Sequence, residues 1–104
     1  MTGINIPASV ERIEREAFSS CGNLQVVKFH SDNCKVRVIG EGAFQNTGIT
    51  GIDIPISVER IERRAFFSCR KLEWVKFGDS DSCMVRVIGE GAFKETGILT
   101  TTSI

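Results

Sequence analysis

The stretch that decides the fold is VERIEREAF, at residues 10–18. Its pattern, Val-x-x-Ile-x-x-x-Ala-Phe, occurs four times, with the copies ending at Phe18, Phe44, Phe66 and Phe93. The copies follow one another at steps of 26, 22 and 27 residues, within the roughly 20–29 residues that one coil of a repeat solenoid contains. The spacing therefore predicts four stacked coils, in which the Ala-Phe pairs are buried and their rings stack one coil apart.

A longer period encloses the short one. The pentapeptide GINIP at residues 3–7 returns as GIDIP at residues 51–55, and VRVIGEGAF at residues 36–44 returns unchanged at residues 85–93. The coils therefore alternate in type, and we call them A, B, A and B along the chain. We interpret residues 1–104 as a single repeat domain made of two tandem units, at about residues 3–50 and 51–99.

A second pattern, such as Leu24-x-x-Val27-x-Phe29, lies between the Ala-Phe pairs and recurs at residues 1–6, 49–54 and 72–77. Its alternation predicts a short strand with one face directed inward. The Val-x-x-Ile segment predicts a second short strand, and each Ala-Phe pair a single helical turn. We expect a left-handed glycine to end these turns, at the positions of Gly22, Gly48 and Gly97. The predicted class is therefore α/β, a four-coil solenoid with single-turn helices.

The composition is that of one folded domain. Apolar residues make up 41% of the chain and charged residues 25%, which is ordinary for globular proteins. Lys plus Arg and Asp plus Glu number 13 each, so no net charge favours nucleic acid or an anionic membrane. No apolar run approaches the roughly 20 residues that span a bilayer. The first residues, MTGINIP, have neither a basic segment nor a long apolar run, so no signal peptide is predicted there.

The cysteines are predicted to be free thiols. Cys21 and Cys69 occupy the same slot two coils apart, about 10 Å by strand spacing, whereas a disulfide needs Cα atoms roughly 4.4–6.8 Å apart. The same reasoning separates Cys34 from Cys83. A Cys21–Cys34 or Cys69–Cys83 bridge stays open on spacing alone. Since cysteine often serves as a small buried apolar residue, we expect Cys21 and Cys69 to be reduced and directed inward.

No residue set indicates catalysis, a cofactor or a metal. His30 and Cys34 are a conceivable nucleophile and base, or two zinc ligands, but Gly78 replaces the histidine in the second unit. Asp79 and Asp81 lack the glycine and closing glutamate of a dedicated calcium loop, and so does Asp32. We therefore interpret both loops as polar and solvated, and we predict no enzyme activity.

Charged residues alternate in sign from coil to coil in two rows. One row consists of Glu11, Arg37, Glu59 and Arg86, and the other of Arg15, Glu41, Arg63 and Glu90. Opposite charges side by side are worth a few tenths to about 1 kcal/mol at exposed sites. A merely solvated face does not require such alternation, so the rows favour specific stacking of A coils on B coils.

These residues resemble the BspA-like leucine-rich-repeat family, also called Treponema pallidum-type leucine-rich repeats. Residues 6–24 and 54–72 follow its pattern Ile-Pro-x-Ser-Val-x-x-Ile-x-x-x-Ala-Phe-x-x-Cys-x-x-Leu almost position by position. The resemblance implies a right-handed solenoid with a parallel concave sheet, and surface or secreted proteins of bacteria and protists that bind host or matrix proteins. Thr47 and Thr96 of the B coils depart from the pattern, since the family often has cysteine there.

The predicted concave face is the candidate protein-binding surface. Its side chains are Val26, Lys28, Asp53, Glu73, Trp74 and Lys76. Trp74 aligns with Val26, so the fold does not require an aromatic residue there, and an exposed tryptophan among charged residues suits an interaction hot spot. The alternative is that Trp74 only covers the sheet. The longer loops at residues 30–35 and 78–84 form a second candidate rim.

The ends of the array are the candidate self-association surfaces, because a solenoid exposes core where no cap covers it. Their apolar residues are Met1, Ile4, Ile6, Ile98 and Ile104. Head-to-tail contact would continue both charge rows, and a two-fold dimer is favoured because closed symmetry is the commoner outcome. The predicted function is a non-enzymatic protein–protein interaction module of the surface-adhesion type. The alternative is a structural repeat element whose partner is another copy of itself.

Overall fold

The computed structural model describes residues 3–29, 34–77 and 84–98. Long and short strands alternate along this part of the chain. The long strands are β1 (Gly3–Ile6), β3 (Val26–Phe29), β5 (Gly51–Ile54) and β7 (Trp74–Phe77), and the short ones are β2 (Arg12–Ile13), β4 (Val38–Ile39), β6 (Arg60–Ile61) and β8 (Val87–Ile88). From β1 the chain returns to the long-strand side at β3, β5 and β7, which completes about three turns of a solenoid. The expected fourth coil is not confirmed.

Every strand pair is parallel, as a solenoid requires. The short strands form one four-stranded sheet in the order β2-β4-β6-β8. The long strands form two separate two-stranded sheets, β1-β3 and β5-β7, while β3 and β5 lie next to each other without a ladder. The continuous sheet therefore lies on the short-strand side, and the predicted long-strand sheet is divided between the two units.

The Ala-Phe segments form turns, and the described residues contain no helix. Two left-handed positions interrupt each segment: Glu16, Gly42, Arg64 and Gly91 occupy the first, and Ser20, Asn46, Ser68 and Glu95 the second. A right-handed helix cannot include such residues. Backbone hydrogen bonds run between coils instead, since Phe44 N donates to Ala65 O at 2.8 Å. The α/β prediction is not confirmed, and the described fold is a parallel β-solenoid without a helix that could cross a membrane.

The glycines expected to end the helical turns have another role. Gly48 lies so close to the preceding coil that a Cβ would be 2.6 Å from the Gly22 carbonyl oxygen, and at Gly97 it would be 2.9 Å from the Arg70 carbonyl oxygen. Gly48 and Gly97 do not have a positive φ, and neither does Gly22. The prediction of left-handed Gly22, Gly48 and Gly97 is therefore wrong. The last two permit close approach of neighbouring coils.

A ladder of four phenylalanine rings fills the centre of the solenoid, as predicted. Successive centroids of Phe18, Phe44, Phe66 and Phe93 lie 5.3, 5.4 and 5.2 Å apart, with interplanar angles of 9°, 9° and 5°. The two inner rings are fully buried and the two outer ones half-buried. The prediction fails only at Ala17, which is exposed on the outer side of the first coil.

Cysteine and threonine alternate at one equivalent position of the successive coils, which is occupied by Cys21, Thr47, Cys69 and Thr96. The Cys69 thiol is buried and donates to the Phe44 carbonyl oxygen at 2.9 Å, and Thr47 Oγ1 lies 3.2 Å from the same sulfur. Burial raises the pKa of the Cys69 thiol. Cys21, Cys34 and Cys69 are free, but Cys21 is exposed in the outermost coil, so the prediction that it points inward is wrong. Cys83 lies outside the described residues.

Candidate interaction surface

The side chains that point outward from the long strands form one surface, which we call the long-strand face. It consists of Asn5, Val26, Lys28, Asp53, Trp74 and Lys76, all of them exposed. Between them, inward-facing residues such as Val27 and Ile52 are buried in the core. The period-two pattern therefore assigned the inward and outward sides correctly. Glu73, the remaining predicted residue, is exposed at the margin of this face and donates its backbone N–H to Thr50 O at 2.9 Å.

Strand register determines which residues of this face are neighbours. In β5 and β7, Gly51 pairs with Trp74 and Asp53 with Lys76. The first unit repeats this arrangement, with Gly3 opposite Val26 and Asn5 opposite Lys28. Each unit therefore presents a glycine beside a large apolar residue, followed by two polar residues.

Trp74 is half-exposed and half covered by the neighbouring strand. A Cβ placed on Gly51 would overlap Nε1, Cε2 and Cζ2 of the indole. These contiguous atoms belong to both rings, so the indole lies across the Gly51 backbone with one face on the strand. Its relative exposure of 50% leaves the remainder in solvent. Trp74 therefore covers part of the sheet and stays accessible to solvent, while its role as an interaction hot spot stays a prediction.

The charge rows are aligned between coils but form few ion pairs. Arg37 N donates to Glu11 O, and Glu59 N donates to Arg37 O, each at 2.8 Å. Among the described residues, however, the only pair within a row is Arg37–Glu59, at 3.7 Å. Arg60 pairs with Glu62 of the same coil at 2.9 Å, and this hydrogen bond raises the pKa of the Arg60 guanidinium.

A second pair between coils lies outside the two rows: Arg70 pairs with Glu95 at 3.1 Å. Exposed pairs of this kind contribute little. The alternation in charge sign therefore gives one ion pair between coils, Arg37–Glu59, and not a continuous series of ion pairs along the described residues.

The second candidate rim contains a shallow groove. It has a volume of about 370 Å³ and is lined by Glu11, Lys35, Arg37, Ser57, Glu59 and Met84. Ser57 Oγ donates to Val36 O at 2.7 Å and lies 3.8 Å from Cys34 Sγ. Lys35 and Met84 belong to two loops that are separate in the sequence, and the sequence alone did not indicate that they line one groove. His30 and the three loop aspartates lie outside the described residues, so their predicted roles stay predictions.

The predicted self-association residues differ in exposure. Ile6 is buried and both Ile4 and Ile98 are half-buried, so the expectation of an uncovered first strand is wrong for Ile6, whose side chain packs into the core. Met1 and Ile104 lie outside the described residues. Among the described strands, β8 has two exposed apolar residues, Val87 and Ile88, at 38% and 36%.

Comparison with known proteins agrees with this architecture. The sequence profile of the BspA-type leucine-rich-repeat region matches residues 1–104 in six copies. The chain belongs to the BspA-type leucine-rich-repeat family. The resemblance noted from the sequence is thereby confirmed. No curated protein matches the chain.

Two solved structures have a fold similar to that of this chain. A leucine-rich-repeat protein from Bacteroides ovatus superposes with a TM-score of 0.77 at 29% identity, over 91% of this chain and 23% of its own. The pneumococcal vaccine antigen PcpA superposes with a TM-score of 0.76 at 21% identity, over 91% of this chain and 28% of its own. This chain therefore spans about a quarter of the length of either protein. The likeness to PcpA supports the fold alone.

Proposed function

We propose that this chain is a non-enzymatic interaction module of the surface-adhesion type, which binds a protein partner through the long-strand face. The observation that carries the proposal is the half-exposed Trp74, which lies on the two-stranded β5–β7 sheet beside Asp53 and Lys76. Aromatic residues fixed in this way are typical interaction hot spots. Membership of a repeat family whose solenoids present extended binding surfaces supports the same interpretation.

A panel of purified extracellular-matrix proteins tests this function by surface plasmon resonance. Trp74→Val installs the residue that the first unit has at the aligned position, Val26, so it preserves the fold. If Trp74 is a hot spot, we expect binding to weaken about 30-fold or more, which corresponds to about 2 kcal/mol. Lys94→Ala, an exposed change in an Ala-Phe turn, is the control and should bind like the wild type. Absence of binding to the panel, or equal binding by Trp74→Val, contradicts the proposal.

The second candidate function is assembly with another copy of the chain, and a specific observation favours it. Ile88 of β8 is 36% exposed, whereas its equivalents Ile39 and Ile61 are completely buried by the next coil. The exposed strand edge thus presents apolar side chains that a coil of the same pattern would cover. An A coil already packs in this way on the inner B coil, where Val38 pairs with Arg60 and Ile39 with Ile61.

Light scattering on a sizing column tests the assembly. We expect the wild type to have a mass above the 11.5 kDa of one chain at high micromolar concentration, with a dimer as the favoured species. Ile88→Glu should shift it to the monomer. The matched control Ile56→Glu, at a residue 50% exposed away from β8, should not. A monomeric wild type, or the same shift with Ile56→Glu, counts against self-assembly.

A further inference from the structure

The indole of Trp74 and the strand beneath it form a flat apolar platform, which we call the Trp74 platform. One indole face rests on the backbone of Gly51, at a position where a Cβ would overlap the ring. The ring is half-exposed, and the β5–β7 ladder runs from the Gly51–Trp74 pair to the Ile54–Phe77 pair. The platform therefore presents a planar apolar surface that is partly exposed to solvent.

The fold does not need an aromatic ring at this position. In the first unit Val26 stands opposite Gly3, with its Cβ 3.7 Å from where a glycine Cβ would be. Valine therefore covers the equivalent glycine without difficulty. The packing of the solenoid therefore does not explain why the second unit has a ring there.

The surroundings of the platform are polar. Asp53 and Lys76 are the next outward-facing residues on the two strands beneath the indole, and both are exposed. Thr50, also exposed, immediately precedes Gly51. The other large apolar residue of this face is Val26, which lies in β3 of the separate β1–β3 sheet. Within the described part of the long-strand face, hydrogen-bonding groups therefore lie beside the indole.

We propose that the Trp74 platform binds a saccharide. A pyranose ring has an apolar face of C–H groups and a rim of hydroxyls. Its C–H face would stack on the electron-rich indole face. Its hydroxyls would donate to the Asp53 carboxylate and accept from the Lys76 ammonium, since hydrogen bonds to charged groups are the stronger ones. The inference uses the same surface as the proposed function and names the ligand chemistry that this part of it takes.

The chain itself provides the reporter for the test. Trp74 is its single tryptophan, and there is no tyrosine, so tryptophan emission reports on the platform alone. The protein is titrated with the methyl pyranosides of glucose, galactose, mannose and N-acetylglucosamine, and with their oligosaccharides. We expect a saturable change in intensity and a blue shift for at least one series, because the sugar covers the exposed indole face. A response that is absent or never saturates in every series overturns the proposal.

Variants on a glycan array provide the second readout. Trp74→Val should lose the signal, Trp74→Phe should retain part of it, and Lys94→Ala should match the wild type. Gly51→Ala keeps the tryptophan but displaces it from the strand, so the signal should also be lost. Circular dichroism confirms that each variant is folded. A Trp74→Val signal equal to the wild type overturns the proposal.

A third measurement separates this inference from the proposed function. Any matrix protein that binds the wild type is compared before and after enzymatic removal of its glycans. Loss of binding on deglycosylation supports the saccharide site. Unchanged, Trp74-dependent binding to the bare protein overturns the saccharide inference while the protein-binding function stands.

Discussion

Truncation of a central ring, Phe44→Ala, tests the aromatic ladder. Phe44 is fully buried, and its ring stacks on Phe18 at 5.3 Å and on Phe66 at 5.4 Å. Removing a buried phenylalanine ring costs about 3–5 kcal/mol, because the transfer free energy is lost and a cavity remains. Each aromatic contact contributes about 0.5–1.5 kcal/mol, so the two contacts account for a substantial part of that cost. A small domain has a total stability of only about 5–15 kcal/mol.

Urea unfolding followed by far-ultraviolet circular dichroism measures this cost. Phe18→Ala is the matched variant, since that ring is half-buried and has one stacking neighbour in the ladder. We expect it to cost about half as much as Phe44→Ala, because one contact is lost instead of two. If Phe44→Ala does not fold, Phe44→Leu provides a measurable intermediate. A cost below about 1 kcal/mol for Phe44→Ala, or one no larger than for Phe18→Ala, would refute the stacked core.

Two further changes test the contacts between coils. Gly48→Ala should destabilise the fold by about 1–3 kcal/mol, because its Cβ would lie 2.6 Å from a backbone oxygen. Gly22→Ala is the control and should be neutral, since nothing lies within 4 Å of a Cβ there. Equal urea midpoints for the two variants would argue against the close approach of the coils at Gly48. Burial raises the pKa of the Cys69 thiol, so the folded state holds this proton more tightly, and the associated stability is present below pH 9.0 and lost as pH rises above it. Cys69→Thr, which installs the residue found at Thr47, should abolish that loss, and identical pH dependence of the urea midpoint in both proteins would contradict it.

The coil pattern was predictable because apolar residues recur at equivalent positions of each repeat. The backbone conformation of the Ala-Phe turns was not predictable in this way. Glutamate, alanine and glutamine favour helices, so the Ala-Phe segments resemble single helical turns. Hydrogen bonding between coils overrides this preference, and Glu16 and Arg64 adopt φ of 56° and 59°. Gly42 and Gly91 occupy the same row with φ of 63° and 71°. Because glycine occupies this repeat position in two of the four copies, the sequence indicated a left-handed conformation there for Glu16 and Arg64 as well.

The exposure of the candidate surface followed from the period of two, whereas its contacts did not. The alternation in β7 places Trp74 on the outside without knowledge of any other strand. Its contact with Gly51 depends on the cross-strand register, which local alternation alone does not determine. The aligned glycines at positions 3 and 51, each 23 residues before Val26 or Trp74, contained this information.

The charge rows were predictable as rows but not as contacts. Arg37 is hydrogen-bonded through its backbone to both Glu11 and Glu59, yet among the described residues its side chain forms an ion pair with Glu59 alone. Long exposed side chains choose among several partners of similar energy, since each surface pair is worth less than about 1 kcal/mol. Residue order therefore determines which charges are near one another, while side-chain rotamers determine which of them meet.

The two units share the residues that the core requires and differ in residues of the long-strand face. Phenylalanine and isoleucine recur at the same core positions in both, which is the requirement for coils to stack. On the long-strand face Lys28 and Lys76 also correspond, but Val26 is replaced by Trp74 and Asn5 by Asp53. Since the first unit folds with the same backbone and without these residues, the differences are not imposed by packing. The second unit thus has a planar apolar ring and a carboxylate on neighbouring strands of this face, and recognition is expected at this pair.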